Sequence, residues 1–164
     1  GSGTGQHAVH FAQHLLHLTW QTSDLPVHPP GIQAWLDEAL LSNARPPIAL
    51  DVNDTPWSVA PVDGVFTANT LHIISWPEVV CLLEGVGQLL QPGGVLCIYG
   101  PFNYGGQFTS ESNARFDAWL KARDPLSGVR NFEAVRETAL EHGLMLQQDH
   151  AMPVNNRTLV FHKR

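Results

Sequence analysis

The sequence predicts an α/β fold whose sheet is doubly wound, mostly parallel and closed by an antiparallel hairpin. Short apolar runs alternate with stretches whose apolar residues recur at helical spacing, a pattern typical of a parallel sheet covered by helices on both faces. The last two apolar runs, residues 144–151 and 157–162, are joined only by MPVNN. Because that connection is too short for a helical crossover, the final two strands must be antiparallel.

The elements of the first third of the chain follow from apolar periodicity and from chain-breaking residues. Apolar side chains recur on one helical face from Ala8 to Leu18, and Arg45-Pro46-Pro47 is expected to break the chain. Asp24 follows the first predicted strand, and Asp51 ends the second apolar run within IALDV. The predicted elements are helix 7–18, strand 18–22, helix 31–42 and strand 48–52.

The remaining elements have stronger signals. Gln91-Pro92-Gly93-Gly94 is a stop signal for the preceding helix. The run VLCIY is apolar throughout, as expected for a strand buried on both faces. The predicted elements are strand 62–68, helix 77–90, strand 95–99, helix 110–123, helix 131–142 and the two hairpin strands. Residues 1–164 are expected to form a single domain.

The composition argues against several classes of protein. The 164 residues carry a formal net charge of −6, whereas a nucleic-acid-binding surface needs clustered Lys and Arg. No apolar run is long enough for a membrane span. Cys81 and Cys97 do not form a CxxC pair, so we expect buried, reduced thiols and a cytoplasmic protein.

Glycine and polar residues are predicted to gather at one edge of the sheet. In open α/β sheets, ligands bind beyond the carboxyl ends of the strands. The glycine-rich GSGTGQ precedes the first helix, Asp24 follows a strand, and Asp51 and Asn69 end the next two strands. A carboxylate at the position of Asp24 can accept hydrogen bonds from both hydroxyls of a ribose. The ordered set is a stronger signal than any one of its members.

These motifs resemble those of the class I S-adenosylmethionine (SAM)-dependent methyltransferases. GSGTGQ is similar to their glycine motif, VDGVFTANTLHII to their fourth-strand motif, and QPGGVLCIYGPF to their passage from a helix into the fifth strand. The resemblance covers essentially the whole chain and implies a Rossmann-like methyltransferase fold, SAM as the cofactor, and a small or medium-sized acceptor. GSGTGQHAVHFA, WQTSDL, LDVND, YGPFNYGG, SNARFD and MPVNNRTLVF together resemble the methyltransferase-like 26 family.

The resemblance also implies site residues. Asp24 would bind the ribose hydroxyls and Asp51 the adenine amino group. The implied cofactor-binding residues are Gly1, Gly3, Gly5, Asp24, Asp51, Val52 and Asn69. The residues expected at the acceptor mouth are His72, Tyr99, Asn103 and Asn155. His72 is the candidate base, although methyl transfer needs mainly alignment and desolvation.

Members of the methyltransferase family carry an apolar strand and an acidic residue before the glycines, and neither precedes Gly1 here. We therefore expect the sequence to be truncated inside the glycine motif, with its first strand missing. Strands 18–22 and 62–68 would then lack partners on their facing sides. The alternative is a cloning linker that mimics the motif.

Other interpretations stay open. An NAD-dependent oxidoreductase is disfavoured because the third glycine of a G-x-G-x-x-G motif would fall on Gln6. A non-catalytic SAM-binding protein is the second alternative. Histidines at offsets of three and four from His7 to His17 form a helical stripe, but no metal site is expected. Arg130 is expected either to hold an anionic group or to cap a helix.

Overall fold

The computed structural model describes all residues from Gly1 to Arg164, and the chain divides into two compact units, Gly1–Asp54 and Thr55–Arg164. The first unit contains two helices and one parallel pair of strands. Its elements are α1 (Gln6–His14), β1 (Trp20–Asp24), α2 (Pro29–Ala39) and β2 (Ala44–Ala49). No helix of the chain is both long and apolar enough to cross a membrane. The expectation of a single domain over residues 1–164 stays a prediction.

Helix α1 is shorter than the sequence predicts. It ends at His14 rather than at Leu18, and Leu18 is 40% exposed. The side-chain amide of Asn43 donates to the carbonyl oxygens of Ala12 and Leu18 at 3.0 Å each. The bond to Ala12 satisfies a carbonyl group that a helix continuing to Leu18 would have paired internally, and the bond to Leu18 holds the chain beyond the helix. The amide of Asn43, distant in sequence, therefore ends the helix where periodicity alone continues it.

The prediction that Arg45-Pro46-Pro47 breaks the chain is wrong, because these residues lie inside strand β2. Proline lacks the N–H group of a ladder, and it is tolerated in a strand that pairs on one side only. β2 pairs with β1 alone, and its register shifts beside the prolines. The strand also ends at Ala49 instead of Val52.

The second unit is built on a four-stranded sheet with the order β3-β4-β8-β7. β3 and β4 are parallel, while β8 is antiparallel to both β4 and β7. The insertion of the last strand between its neighbours confirms the predicted antiparallel hairpin. The elements of this unit are β3 (Val62–Ala68), α3 (Trp76–Leu89), β4 (Leu90–Gly100), β5 (Phe102–Asn103), α4 (Glu111–Arg123), β6 (Arg130–Asn131), α5 (Phe132–Glu141), β7 (Leu144–Met152), a short 3-10 helix (Pro153–Asn155) and β8 (Asn156–Lys163).

The core of the second unit lies between this sheet and its helices. Leu159 and Phe161 of β8 are fully buried, whereas Val160 between them is half-buried on the opposite face. Helix α3 begins with a capping box formed by Ser75 and Glu78 and contributes its apolar side chains to the same cluster. The sheet thus carries the carboxyl ends of β3 and β4 side by side, with the residues that follow each strand.

Strands β1 and β3 belong to different hydrogen-bonded sheets, so they do not pair directly with each other. β1 pairs with β2, and β3 pairs with β4. Each strand therefore has one hydrogen-bonded neighbour and one unpaired edge. The expectation that a missing strand belongs between these two edges stays a prediction.

Candidate functional site

The glycine loop of the first unit is attached to the end of strand β1. The backbone N–H of Gly3 donates to Oδ2 of Asp24 at 2.7 Å. Ser2 pairs with Ser23 twice, because its N–H donates to the carbonyl of Ser23 at 2.9 Å and its Oγ accepts from the N–H of Ser23 at 3.0 Å. Gly5 then starts helix α1 with a φ of 91°. The loop and the strand end therefore form one connected hydrogen-bonded structure.

Asp24 is the best-anchored charged group of this loop region. Its carboxylate is 7% exposed and accepts three hydrogen bonds, from the N–H groups of Gly3 and Leu25 and from Nδ1 of His28 at 2.7 Å. Burial alone would raise the pKa of Asp24, but the bonds from His28, Gly3 and Leu25 hold that pKa below its usual value. An ionised carboxylate has about four acceptor positions, so roughly one stays available.

The glycine positions of the loop differ in what they require. Gly3 is exposed with a φ of 57°, and a Cβ there would meet no atom within 4 Å. Gly5 is buried, and a Cβ there would lie 3.2 Å from Cγ2 of Ile32. Gly1 is exposed. Gly5 thus combines a left-handed backbone with close approach to helix α2, which explains glycine at this position.

Asp51 and Val52 lie in a turn after β2 and are half-buried. Oδ1 of Asp51 accepts from the backbone N–H of Asn53 at 2.9 Å and from its side-chain amide at 3.0 Å. The carboxylate therefore stabilises the turn in which it lies. Its second oxygen makes none of these bonds.

In the second unit, Asn69 directly follows β3 and adopts a φ of 56°. Its backbone N–H donates to the carbonyl of Tyr99 at 2.8 Å, which ties it to the end of β4. A Cβ built on Gly100 would lie 3.6 Å from Nδ1 of His72 and 3.9 Å from Oδ1 of Asn69. The structure therefore brings Asn69, His72 and Gly100 together at the ends of two neighbouring strands, as predicted from the order of the motifs.

His72 is buried, with 5% of its surface exposed. Burial, together with the positive charge of Arg130, lowers the pKa of His72 to about 4. Its ring packs edge-on against Phe116, with centroids 5.1 Å apart. The imidazole is therefore neutral at neutral pH and can both donate and accept a hydrogen bond.

Arg130 serves backbone carbonyl groups rather than an anion. Its Nε donates to the carbonyl of Leu71 at 2.9 Å, and its Nη2 donates to the carbonyls of Ile74 and Leu126. No carboxylate forms an ion pair with this half-buried guanidinium. Of the two predicted roles of Arg130, holding an anion does not fit these contacts. The guanidinium binds carbonyl groups, as a capping residue does, but these carbonyls belong to loops rather than to the end of a helix.

Tyr99, Asn103 and Asn155 are distributed around the ends of β4 and β8. The hydroxyl of Tyr99 accepts from the side-chain amide of Asn156 at 3.0 Å, so the final turn lies beside the carboxyl end of β4. Asn155 instead donates to Oγ of Ser112 at 3.2 Å, at the start of α4. Asn103 is 8% exposed, and its Oδ1 is buried without a partner. Asn103 and Asn155 therefore have different surroundings.

One polar cluster near these residues was not predicted from the sequence. Oδ2 of Asp149 accepts from the hydroxyl of Tyr104 at 2.8 Å, and Oδ1 accepts from Nε of Arg157 at 2.7 Å. Burial, with the bond and charge of Asp149, raises the pKa of Tyr104. The cluster fixes the loop after β4 onto the hairpin strands. Asp149 lies on β7 and Arg157 on β8, and the register of these two strands brings the side chains together. No local sequence motif indicates that they form an ion pair.

The predicted histidine stripe is shorter than expected, because α1 ends at His14 and His17 lies in the turn that follows. The rings of His10 and His14 have centroids 4.4 Å apart, and Nδ1 of His14 donates to the carbonyl of His10 at 2.7 Å. No group of three or more His, Cys, Asp or Glu side chains in the chain has the arrangement of a metal site.

Solved structures that match the chain include proteins named as methyltransferases. An O-methyltransferase family protein from Burkholderia thailandensis has a TM-score of 0.88 at 16% identity, over 99% of this chain and 48% of that one. An O-methyltransferase family 2 protein from Planctomyces limnophilus, in complex with apigenin, has a TM-score of 0.87 at 16% identity, over 100% and 49%. The SAM-dependent methyltransferase SibL in its apo form has a TM-score of 0.83 at 22% identity, over 99% and 48%.

The fold is therefore the mixed α/β, Rossmann-like fold of methyltransferases, as the sequence predicts. The chain matches the family described as Protein of unknown function (DUF938) over residues 1–163, and it belongs to that family. It spans about half the length of the solved structures that it matches.

Proposed function

We propose that this chain is a SAM-dependent methyltransferase that acts on a small or medium-sized acceptor. The observation that carries the proposal is the connection of the glycine loop to a buried carboxylate, through the 2.7 Å bond from Gly3 to Asp24. A carboxylate at the end of the strand that follows the glycine loop suits the hydroxyls of a ribose. The likeness to methyltransferases supports the same conclusion at the level of the fold.

The residues of the first unit fit the polar parts of SAM. Asp24 keeps about one acceptor position for a ribose hydroxyl, and the exposed His28 would free a second by turning away. The helix start at Gly5 has no side-chain cap, so its first-turn N–H groups suit the carboxylate of the methionine part. The turn of Asp51 and Val52 would face the adenine, and Gly1 and Gly3 would lie along the ligand.

The residues of the second unit would act on the acceptor. Asn69 would bind near the methionine end, and His72 and Asn103 would contact the acceptor. When bound, SAM supplies an electrophilic methyl group. The residues of the chain would align the acceptor and exclude water. The neutral imidazole of His72 would accept a proton only from an acceptor that has to be deprotonated.

Calorimetric titration with SAM tests the proposal directly. We expect Asp24→Asn to weaken SAM binding by roughly 1.5–3 kcal/mol, the scale of hydrogen bonds to a charged group. Asp37→Asn is the matched control, because it makes the same change at an exposed carboxylate of helix α2. Equal SAM affinity in the wild type and in Asp24→Asn would remove Asp24 from the ribose site.

A non-catalytic SAM-binding protein is the alternative that the same titration leaves open. A screen for transfer of a labelled methyl group from SAM to small-molecule acceptors separates the two. Transfer by the wild type that falls in Asp24→Asn and persists in Asp37→Asn supports the enzyme. SAM binding without transfer to any acceptor class supports the binding protein.

A further inference from the structure

His72 is largely buried, and no hydrogen bond joins its ring nitrogens to another residue, although these nitrogens are not among the fully enclosed atoms that lack a partner. The residue is 5% exposed, and the polar contact of its own backbone is the carbonyl, which accepts from the N–H of Gly128 at 2.9 Å. Its ring lies between Phe116 and the backbone of Gly100. A buried polar ring without a partner is uncommon in folded proteins. It therefore calls for an explanation beyond packing.

The backbone that carries His72 is held by a second segment. We call residues Leu71–Ile74 the His72 turn and residues Leu126–Arg130 the clamp segment. All four carbonyl oxygens of the His72 turn accept hydrogen bonds from the clamp segment. The donors are Nε of Arg130 to Leu71, the N–H of Gly128 to His72, Oγ of Ser127 to Ile73, and Nη2 of Arg130 to Ile74. The ring is thus positioned through its backbone, which leaves its nitrogens for another group.

Asn103 is a second polar side chain of the same region with an unused atom. Its side-chain amide donates to the carbonyl of Val129 at 3.4 Å, the residue next to the one that binds His72. Its Oδ1 is buried and has no partner. His72, through its backbone carbonyl, and Asn103, through its side-chain amide, are thus bound to the consecutive residues Gly128 and Val129. Both residues are more than nine-tenths buried and keep hydrogen-bonding atoms unpaired. Each of these atoms can bond to a ligand group, Oδ1 of Asn103 to a donor and the imidazole to a donor or an acceptor.

The two cations bound to the clamp segment and to Asp117 are already paired. The guanidinium of Arg130 is bonded to three backbone carbonyls. Lys121 is paired with Asp117 at 2.7 Å, and Oδ1 of Asp117 accepts from the N–H of Val129 at 2.8 Å. A carboxylate or phosphate placed here would lose its hydration without gaining a counter-charge. The chemistry favours an uncharged ligand group.

We propose that His72 and Asn103 form a binding subsite for an uncharged group that carries a hydrogen-bond donor, such as a hydroxyl. A hydroxyl donates to Oδ1 of Asn103 or to the unprotonated nitrogen of His72, and it accepts from the N–H of the imidazole. The inference rests on the proposed function in that this group would belong to the methyl acceptor. Binding of the group itself requires no SAM, so the two proposals can fail separately.

Three small probes test the subsite on the wild-type chain: phenol, anisole and benzoate. Phenol donates a hydrogen bond, anisole has the same ring without the donor, and benzoate carries a charge. Binding is followed by the imidazole ¹⁵N resonances of His72 in NMR titrations without SAM. We expect phenol to shift these resonances and to bind about two- to tenfold more tightly than anisole, the ratio that one net hydrogen bond gives. We expect benzoate to leave them unchanged.

The outcomes separate clearly. Anisole or benzoate binding as tightly as phenol, with the same shifts at His72, overturns the donor requirement. Absence of any phenol-induced shift at His72 overturns the subsite. A subsite that binds phenol in a chain that does not bind SAM contradicts the proposed function and leaves the subsite standing.

Variants give a second, independent measurement. His72→Phe keeps a ring against Phe116 and removes both nitrogens, so the preference for phenol over anisole is expected to disappear. His150→Phe makes the same change at an exposed position of β7 and is expected to keep the preference. Retention of the preference in His72→Phe, with circular dichroism showing a folded chain, overturns the assignment. Where His72→Phe does not fold, the probe comparison on the wild type decides alone.

Discussion

The burial of His72 makes the stability of the chain depend on pH in a specific window. Burial and Arg130 lower the pKa of His72 from 6.5 to about 4 in the folded state. Because the folded-state pKa is the lower one, the unfolded chain binds more protons between these values. The unfolding free energy therefore falls as the pH drops from about 6.5 towards 4, and His72 has no such effect above about pH 7.

The size of the effect follows from the difference between the two pKa values. At roughly 1.4 kcal/mol per pKa unit, protonation of His72 in the unfolded chain lowers the unfolding free energy by about 3 kcal/mol across the window. The side chain is 5% exposed, so solvent screening does not reduce this figure greatly. The positive charge of Arg130 contributes to the lowered pKa of His72. The negative charges of Asp117 and Asp124 favour the charged form of Arg130.

The assay compares urea unfolding of the wild type and of His72→Phe at about pH 7.5 and about pH 4.5. Other groups also titrate in this range, so the informative quantity is the change in unfolding free energy of the wild type minus that of the variant. We expect the wild type to lose roughly 2–3 kcal/mol more than His72→Phe. His150→Phe, at an exposed site, is expected to behave as the wild type. Equal pH dependence in the wild type and in His72→Phe would refute the reasoning.

Two further predictions concern packing and capping. Gly85→Ala places a Cβ in steric overlap with the ring of Trp57, and we expect it to lower the unfolding free energy by about 1–3 kcal/mol in urea unfolding. Gly31→Ala, where a Cβ in helix α2 meets nothing within 4 Å, is expected to be neutral or stabilising, and a matching loss there would contradict the packing argument. Ser75→Ala removes the cap of α3 and the partner of Glu78, at an expected cost of about 1 kcal/mol by the same assay; no loss would mean that the capping box does not stabilise the helix.

The second unit was easier to predict than the first because its signals are local. The capping box and the apolar periodicity act within one helix and the QPGG sequence directly follows it, so α3 falls within a residue of its predicted bounds. In the first unit, the end of α1 depends on Asn43, which is distant in sequence. The prolines of β2 are acceptable only because that strand pairs on one side. Neither condition can be read from a local pattern.

The candidate site also has features that the sequence predicts and features that depend on the three-dimensional structure. Asp24 was predicted because it follows a strand after a glycine loop, and its position depends on chain order alone. Its bond to His28 and the clamp of the His72 turn by Ser127 and Arg130 depend on side-chain geometry. The sequence indicates which residues reach the edge of a sheet, but it does not indicate which of their polar atoms are already used.

The hydrogen bonds that Asp24 already makes affect how a change in SAM affinity in Asp24→Asn is interpreted. Its carboxylate already accepts hydrogen bonds from Gly3 and Leu25, so Asp24→Asn loosens the glycine loop as well as any bond to a ribose. Loss of loop order lowers the unfolding free energy without ligand, whereas loss of a ribose bond lowers the affinity in the folded chain. His28→Ala removes a partner of Oδ1 and leaves the carboxylate intact, so it is expected to keep or raise SAM affinity. Weaker SAM binding in His28→Ala would mean that the order of the loop, rather than direct contact with the ribose, is the main contribution of Asp24.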